Sequence, residues 1–132
     1  MKKLLAKVIA TEGPYLQAIV EIEGTVYCVM DELTLDVQSA PEKDAQFEIE
    51  FSNLIDESES WESIFNGNPE RKKCIEQIEG WKYRAFGEIL SINPVKVDCG
   101  VLIEENVIYS NDPKVIGEYI GFTISRLGVY PI

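Results

Sequence analysis

A two-residue alternation of apolar and polar side chains constrains the fold of this chain more than any other feature. A period of two matches the β-strand, in which successive side chains point to opposite faces of a sheet. Polar residues between the apolar ones indicate that one face is buried and the other is in water. The alternation therefore predicts a mainly β protein. The clearest runs have apolar positions at Ala45, Phe47, Ile49 and Phe51, and at Val95, Val97, Cys99, Val101 and Ile103.

A tight hairpin is predicted where Glu23 and Gly24 separate two alternating runs. The apolar face of the first run consists of Leu16, Ala18, Val20 and Ile22. We expect the return strand to continue this face with Val26, Cys28 and Met30. The outer face of the hairpin would then either lie under another element or form an apolar interface, including one between copies of the chain. The predicted interface consists of Tyr15, Ile19, Tyr27 and Val29.

The period changes in the middle of the chain, where two short helices are predicted between two sets of strands. Asp56, with Glu59 three residues later, matches a capping box. Trp61, Ile64 and Phe65 follow at helical spacing and form the first helix.

The second predicted helix covers residues 68–80. Asn68 and Pro69 match an N-cap followed by a first-turn proline, and Gly80 suits the C-terminal end. Its narrow apolar stripe consists of Cys74, Ile75 and Ile78.

Strand signals return after residue 80, and the apolar face shifts by one position at Phe86 and Gly87, as at a β-bulge. Together these runs predict one domain over residues 1–132. The expected fold is mainly β: a small curled antiparallel sheet or barrel of about seven strands, with the two helices inserted mid-chain. An open α+β sandwich is the alternative. Residues 87–94 and 124–127 are similar in type to elements of small bacterial β-barrel proteins, a similarity that carries no functional residues across.

The formal net charge of −11 restricts the partners of the chain. Such an excess of carboxylates repels phosphate backbones and anionic lipids and attracts basic partners. We therefore predict no nucleic-acid and no membrane partner. Residues 71–73 and 81–84 do interleave cations with aromatic rings, as single-strand binders do, but glutamates surround them.

Histidine is absent, which excludes Ser-His and Cys-His nucleophile pairs and the usual Cys/His zinc sites. The three cysteines, Cys28, Cys74 and Cys99, favour a reducing compartment because an odd number without a close pair does not make a disulfide framework. We predict a cytoplasmic protein that is not an enzyme and has no metal or cofactor.

The leading functional hypothesis is a non-catalytic acidic protein that binds a basic protein partner, as an immunity protein, an antitoxin or an adaptor does. An exposed tryptophan among carboxylates would anchor the interface, although Trp61 also fits a core position and the acids also fit an ordinary solvated face. The predicted partner-binding residues are Asp56, Glu57, Glu59, Trp61, Glu62, Glu48 and Glu50.

Two alternatives stay open. One is a small-molecule or oligosaccharide-binding barrel that uses Trp81, Tyr83 and Phe86 in a concave pocket. The other is a structural subunit that forms a homo-oligomer through the first hairpin.

Overall fold

The structure, a computed structural model, describes residues 4–34 and 41–132 and is mainly β, with 54% of the chain in strands and 7% in helices. The short helix α1 spans Trp61–Phe65, and Pro113–Val115 form a 3-10 turn. The strands of the described residues are β1 Leu4–Thr11, β2 Gln17–Ile22, β3 Thr25–Asp31, β4 Gln46–Ile55, β5 Cys74–Glu79, β6 Lys82–Ser91, β7 Lys96–Asp98, β8 Ile103–Glu105 and β9 Tyr119–Pro131.

Five of these strands form a closed barrel. Their order is β3-β2-β1-β4-β9, and β9 also pairs with β3, in parallel, with Met30 opposite Gly128. The extra strands continue from β9 in the order β6-β7-β8, and β5 pairs with β6. The barrel prediction is confirmed, and closure rules out the open sandwich.

The chain divides into two compact units. Unit 1 comprises Met1–Leu54, Glu79–Trp81 and Arg126–Ile132, and unit 2 comprises Ile55–Ile78 and Lys82–Ser125. The prediction of a single domain over residues 1–132 stays a prediction.

Each unit has its own buried apolar side chains, which supply most of the driving force for its folding. Those of unit 1 include Ala6, Val8, Ala18, Val20, Ile22, Tyr27, Val29, Ile49, Leu127 and Val129. Those of unit 2 include Ile64, Tyr83, Ala85, Ile89, Val97, Cys99, Ile120, Phe122 and Ile124.

The first hairpin has the predicted turn, but its return strand faces the opposite way. Glu23 and Gly24 have φ angles of 53° and 82°, as a type I′ turn requires. This two-residue turn sets Val20 opposite Tyr27, so even-numbered residues of β2 pair with odd-numbered residues of β3. Tyr27 and Val29 therefore lie in the core, whereas Val26 is exposed.

The second predicted helix is wrong. Asn68 instead closes a loop, because its Nδ2 donates to the carbonyl of Lys72 at 2.9 Å and its Oδ1 accepts from the Lys72 N–H at 2.8 Å. Arg71 has a φ of 56°, a left-handed conformation that a right-handed helix does not contain. Cys74–Glu79 is the strand β5. Pairing with β6 outweighs the local capping signals, as tertiary context often does.

The predicted bulge at Phe86 and Gly87 is also wrong, since β6 keeps a continuous register with β9 through both residues. Gly87 stays on the buried face, where a Cβ would lie 2.5 Å from the carbonyl oxygen of Asp98. The strand therefore needs a residue without a side chain there. A register shift occurs later, between Ile89 and Ser91, where β6 pairs with β7.

Candidate functional site

Trp61 stands at the start of α1 and is 53% exposed. Ser60 caps the helix, because its Oγ accepts from the Ser63 N–H at 3.1 Å. Ile64 is buried on the other side, and the Phe65 ring lies against Trp61 with centroids 6.3 Å apart. The first predicted helix is thus confirmed, and its tryptophan presents about half of its surface to solvent.

The helix begins later than the capping box predicted, so Asp56 is not its cap. The Asp56 carboxylate instead accepts from the backbone N–H and the hydroxyl of Ser58, at 2.9 and 2.6 Å. These hydrogen bonds lower the pKa of Asp56, and the positive charge of Lys82 contributes less. Asp56 therefore stays ionised at neutral pH.

Glu59 ties the segment before α1 to the sheet of unit 2. Its Oε2 lies 2.8 Å from Nη1 of Arg84, and its Oε1 accepts from the Thr123 N–H at 2.6 Å. Arg84 and Thr123 face each other across β6 and β9, and Nη1 of Arg84 also donates to the Thr123 hydroxyl at 3.2 Å. The Asp56 N–H donates to the Thr123 carbonyl at 3.0 Å. The segment before α1 is therefore bound to both backbone groups of Thr123, its N–H and its carbonyl.

The end of α1 is held just as closely. A Cβ on Gly67 would lie 2.5 Å from Nη2 of Arg84 and 2.9 Å from the carbonyl oxygen of Gly121. Only a residue without a side chain allows this approach of the two backbones. The helix is thus fixed on both sides of Trp61.

Two carboxylates beside Trp61 have no cation of their own. Glu57 and Glu62 are exposed, and neither makes an ion pair with any residue in the described ranges 4–34 and 41–132. We call Trp61 with Asp56, Glu57 and Glu62 the Trp61 surface. It is a half-exposed aromatic ring on a fixed helix, accompanied by acidic side chains.

The other predicted partner-binding residues differ in their surroundings. Glu59 belongs to the same segment, but Arg84 neutralises it. Glu48 and Glu50 belong to unit 1, where the Tyr130 hydroxyl donates to Oε2 of Glu50 at 2.5 Å and this bond raises the pKa of Tyr130. Two of the predicted partner-binding acids, Glu59 and Glu50, therefore interact with side chains of the same protein.

The predicted apolar interface on the first hairpin is not one surface. Tyr15 is exposed and Ile19 half-buried, but Tyr27 and Val29 lie in the core. A bulge in β1 after Val8 places Ala10 beside Ile19, and Cys28 pairs with Ile19 from the other side. Alternation alone predicts Cys28 in the core, whereas counting across the two-residue turn places it beside Ile19.

The basic residues of unit 2 are largely occupied by neighbouring groups. Lys72 lies 3.2 Å from Glu76, and Lys73 lies 3.0 Å from Glu88. The guanidinium of Arg71 sits 4.7 Å from the centre of the Tyr119 ring. This cluster therefore offers little unpaired positive charge.

The aromatic residues of the saccharide alternative differ in their exposure. Tyr83 is buried in the core, and Trp81 is half-buried. Lys72 covers Phe86, with Nζ 4.9 Å from the ring centre. A cleft does exist in unit 2, but Asn93, Pro94, Val95, Tyr109, Ser110 and Asn111 line it.

The thiols lack the features of a nucleophile. Burial is the main cause that raises the pKa of Cys28, Cys74 and Cys99, and nearby carboxylates raise it further. None of the three is in a disulfide. Each thiol is therefore protonated at neutral pH.

We expect Cys28 and Cys74 to react with Ellman's reagent at pH 7.5 at least ~10-fold more slowly than free cysteine, because the thiolate is the reactive form. Cys99 should react only after unfolding in urea, since it is fully buried. Single Cys→Ser variants assign each rate. A thiol that reacts faster than free cysteine would contradict this expectation and indicate an activated nucleophile.

Among residues 4–34 and 41–132, no group of three or more Cys, Asp or Glu side chains is arranged to hold a metal ion. No helix in this part of the chain has the length and apolar character needed to cross a bilayer. Comparisons with protein-family models, with curated proteins and with solved structures found no match to this chain.

Proposed function

We propose that this chain is a non-catalytic binding protein whose partner is a basic protein, which docks on the Trp61 surface. An immunity protein, an antitoxin or an adaptor would work in this way. One observation carries the proposal: a tryptophan that is 53% exposed sits on a helix fixed at both ends. The neighbouring carboxylates of Glu57 and Glu62 form no ion pair within residues 4–34 and 41–132.

The fixed position of the helix favours binding. Side chains that become ordered on association lose conformational entropy, which weakens the binding free energy by about 0.5–1.5 kcal/mol for each flexible side chain. Ser60, Glu59 and Ile64 already hold α1 in the unbound protein. Trp61 then adds a large apolar area without that loss, which is typical of residues that dominate interface energetics.

The charge supports a basic rather than an anionic partner. The field of a chain with a net charge of −11 speeds the approach of cationic proteins and slows that of polyanions. Nucleic acids are disfavoured for a second reason, which is that Lys72, Lys73 and Arg84 are already paired with carboxylates. Phosphate affinity needs cations that are free to replace counterions.

We expect Trp61→Ala to raise the Kd for the captured partner at least ~30-fold, the effect of losing a residue worth about 2 kcal/mol. The immobilised wild-type chain first captures its partner from a lysate, mass spectrometry identifies it, and calorimetry measures the Kd of the purified pair. Tyr15→Ala, which removes another exposed aromatic residue, in unit 1, is the matched control and should leave the Kd unchanged.

The charged residues provide a second readout of the same interaction. Glu57→Gln combined with Glu62→Gln should slow association several-fold at low salt and have little effect at about 1 M salt, where the Debye length falls to about 3 Å. A captured partner with an acidic isoelectric point, or a Trp61→Ala variant that binds like the wild type, would refute the proposal.

A further inference from the structure

We propose that the cleft lined by residues 93–95 and 109–111 binds a neutral saccharide ring. The cleft lies in unit 2, is open to solvent and has a volume of about 350 Å³. It shares no residue with the Trp61 surface, so this inference stands apart from the proposed protein partner. We call it the Tyr109 cleft; its lining residues are Asn93, Pro94, Val95, Tyr109, Ser110 and Asn111.

Both walls of the cleft are anchored in the unit. In the first wall, the lining residue Val95 is buried, and the Ser91 hydroxyl donates to the Pro94 carbonyl at 3.1 Å. In the second wall, the Ser110 hydroxyl accepts from the Asp112 N–H at 3.1 Å, and Ile108, just before this wall in sequence, is buried. A ligand therefore meets walls that are already in place, which lowers the entropy lost on binding.

The side chains of the cleft match the two faces of a sugar. Tyr109 is 77% exposed, and its ring offers a flat apolar surface for the C–H groups of a pyranose. Asn93 and Asn111 hydrogen-bond to no other group in the described ranges, and each amide offers donors and an acceptor together. Neighbouring sugar hydroxyls also donate and accept, so amides suit them better than charged groups that only donate or only accept.

The lining of the cleft disfavours charged ligands. No Asp, Glu, Lys or Arg side chain lines the Tyr109 cleft, and Asp112, the next residue along the chain, accepts from the Lys114 N–H at 3.0 Å. A phosphorylated ligand would find no cation in the cleft and would be repelled by the net charge of −11. A cationic ligand would find no carboxylate in the lining.

The volume indicates the size of the ligand. Pockets for small molecules span about 300–1,000 Å³, and the Tyr109 cleft is at the lower end of that range. One or two sugar rings fit such a space, in keeping with a monosaccharide or the end of a longer glycan.

Saturation-transfer NMR and calorimetry on the full chain test this inference. The probes are glucose, galactose, mannose, N-acetylglucosamine and their β-linked disaccharides, with N-acetylglucosamine 6-phosphate as the charged comparison. We expect at least one neutral probe to bind with a Kd below ~10 mM, a free energy of roughly −3 kcal/mol, and to receive saturation mainly at its ring C–H protons. The phosphorylated probe should bind at least tenfold more weakly.

Variants locate the site. Tyr109→Ala should weaken binding at least tenfold without changing the melting temperature, because the side chain is mostly exposed. Asn111→Ala should weaken it several-fold, and Trp61→Ala, the control, should leave it unchanged. The inference is overturned if no neutral probe binds, if the phosphorylated probe binds as well, or if Tyr109→Ala binds like the wild type. None of these results bears on capture of a basic protein through Trp61.

Discussion

Replacing Asp31 with alanine is expected to lower the free energy of unfolding by about 3–5 kcal/mol. Asp31 is 1% exposed at the end of β3, where the barrel of unit 1 closes against β9. Its Oδ1 accepts from the Leu33 and Thr34 N–H groups at 2.7 and 2.9 Å, and its Oδ2 accepts from the hydroxyls of Thr34 and Thr11. Alanine leaves the two backbone donors buried without a partner. Each such donor costs about 1–3 kcal/mol.

Urea unfolding at 25 °C measures this loss as a shift of the midpoint at constant slope. Asp31→Asn should lower the free energy of unfolding less than Asp31→Ala, because the amide oxygen still accepts from the two backbone N–H groups. A smaller loss should remain, since the NH₂ group cannot accept from the two hydroxyls. Glu42→Ala, an exposed acid of the same unit, is the control and should change stability by less than about 0.5 kcal/mol. A loss below about 1 kcal/mol for Asp31→Ala would show that water or a rearranged loop replaces the carboxylate.

Local patterns in the sequence predict the class of the fold but not the facing of every strand. The alternation at residues 45–51 and the Glu23-Gly24 turn are read correctly because each depends on neighbouring residues alone. Alternation continued through the turn predicts Tyr27 and Val29 on the outside. A two-residue loop makes even positions pair with odd ones and puts both side chains in the core, so the length of the turn sets the facing of β3.

Other differences between the predicted and the observed elements arise from contacts between residues that are distant in the sequence. Asn68 and Pro69 are good helix-start residues, yet the chain after them pairs with β6 as β5. The sequence around Gly87 suggests a bulge, but the glycine is needed for close packing against the backbone of Asp98. Asp98 lies in a different strand, β7, so the local sequence does not show this contact. In both places a partner distant in sequence decides the conformation.

The same limit applies to the Trp61 surface. The residue types were predicted, but their roles depend on long-range contacts. The sequence predicts Glu59 as one more partner-binding acid. Its carboxylate instead accepts hydrogen bonds from Arg84 and Thr123, which lie 25 and 64 positions further along the chain. Exposure of Trp61 likewise depends on what packs over α1. Nothing in residues 56–67 reveals either fact.

Removing that internal carboxylate with Glu59→Ala is expected to lower the free energy of unfolding by about 2–3 kcal/mol. This lies below the 3–5 kcal/mol typical of a fully buried pair, because the side chains of Glu59 and Arg84 keep 16% and 23% of their surface in solvent. The variant leaves Arg84 without its carboxylate and the buried Thr123 N–H without an acceptor. Urea unfolding measures the loss, and Glu57→Ala, an exposed acid two residues earlier, should be close to neutral.

A double-mutant cycle with Arg84→Met separates the ion pair from the hydrogen bond to Thr123. We expect a coupling energy of at least about 1 kcal/mol between Glu59 and Arg84, as for side chains in direct contact. A coupling near zero, with a loss for Glu59→Ala equal to that for Glu57→Ala, would mean that the pair does not hold the segment before α1.

Glu59→Ala should also weaken the proposed partner's binding, for a reason that differs from the effect of Glu62→Gln. If α1 is correctly placed in only part of the molecules, the apparent Kd rises in proportion to the inverse of that fraction, and salt has little influence on the factor. Glu62 instead acts through the field at the surface, so its effect should vanish as salt rises. Kd values for both variants at 0.05 and 1 M salt distinguish positioning from attraction. Equal salt dependence of the two would assign Glu59 to direct contact with the partner and contradict a positioning role through its ion pair with Arg84.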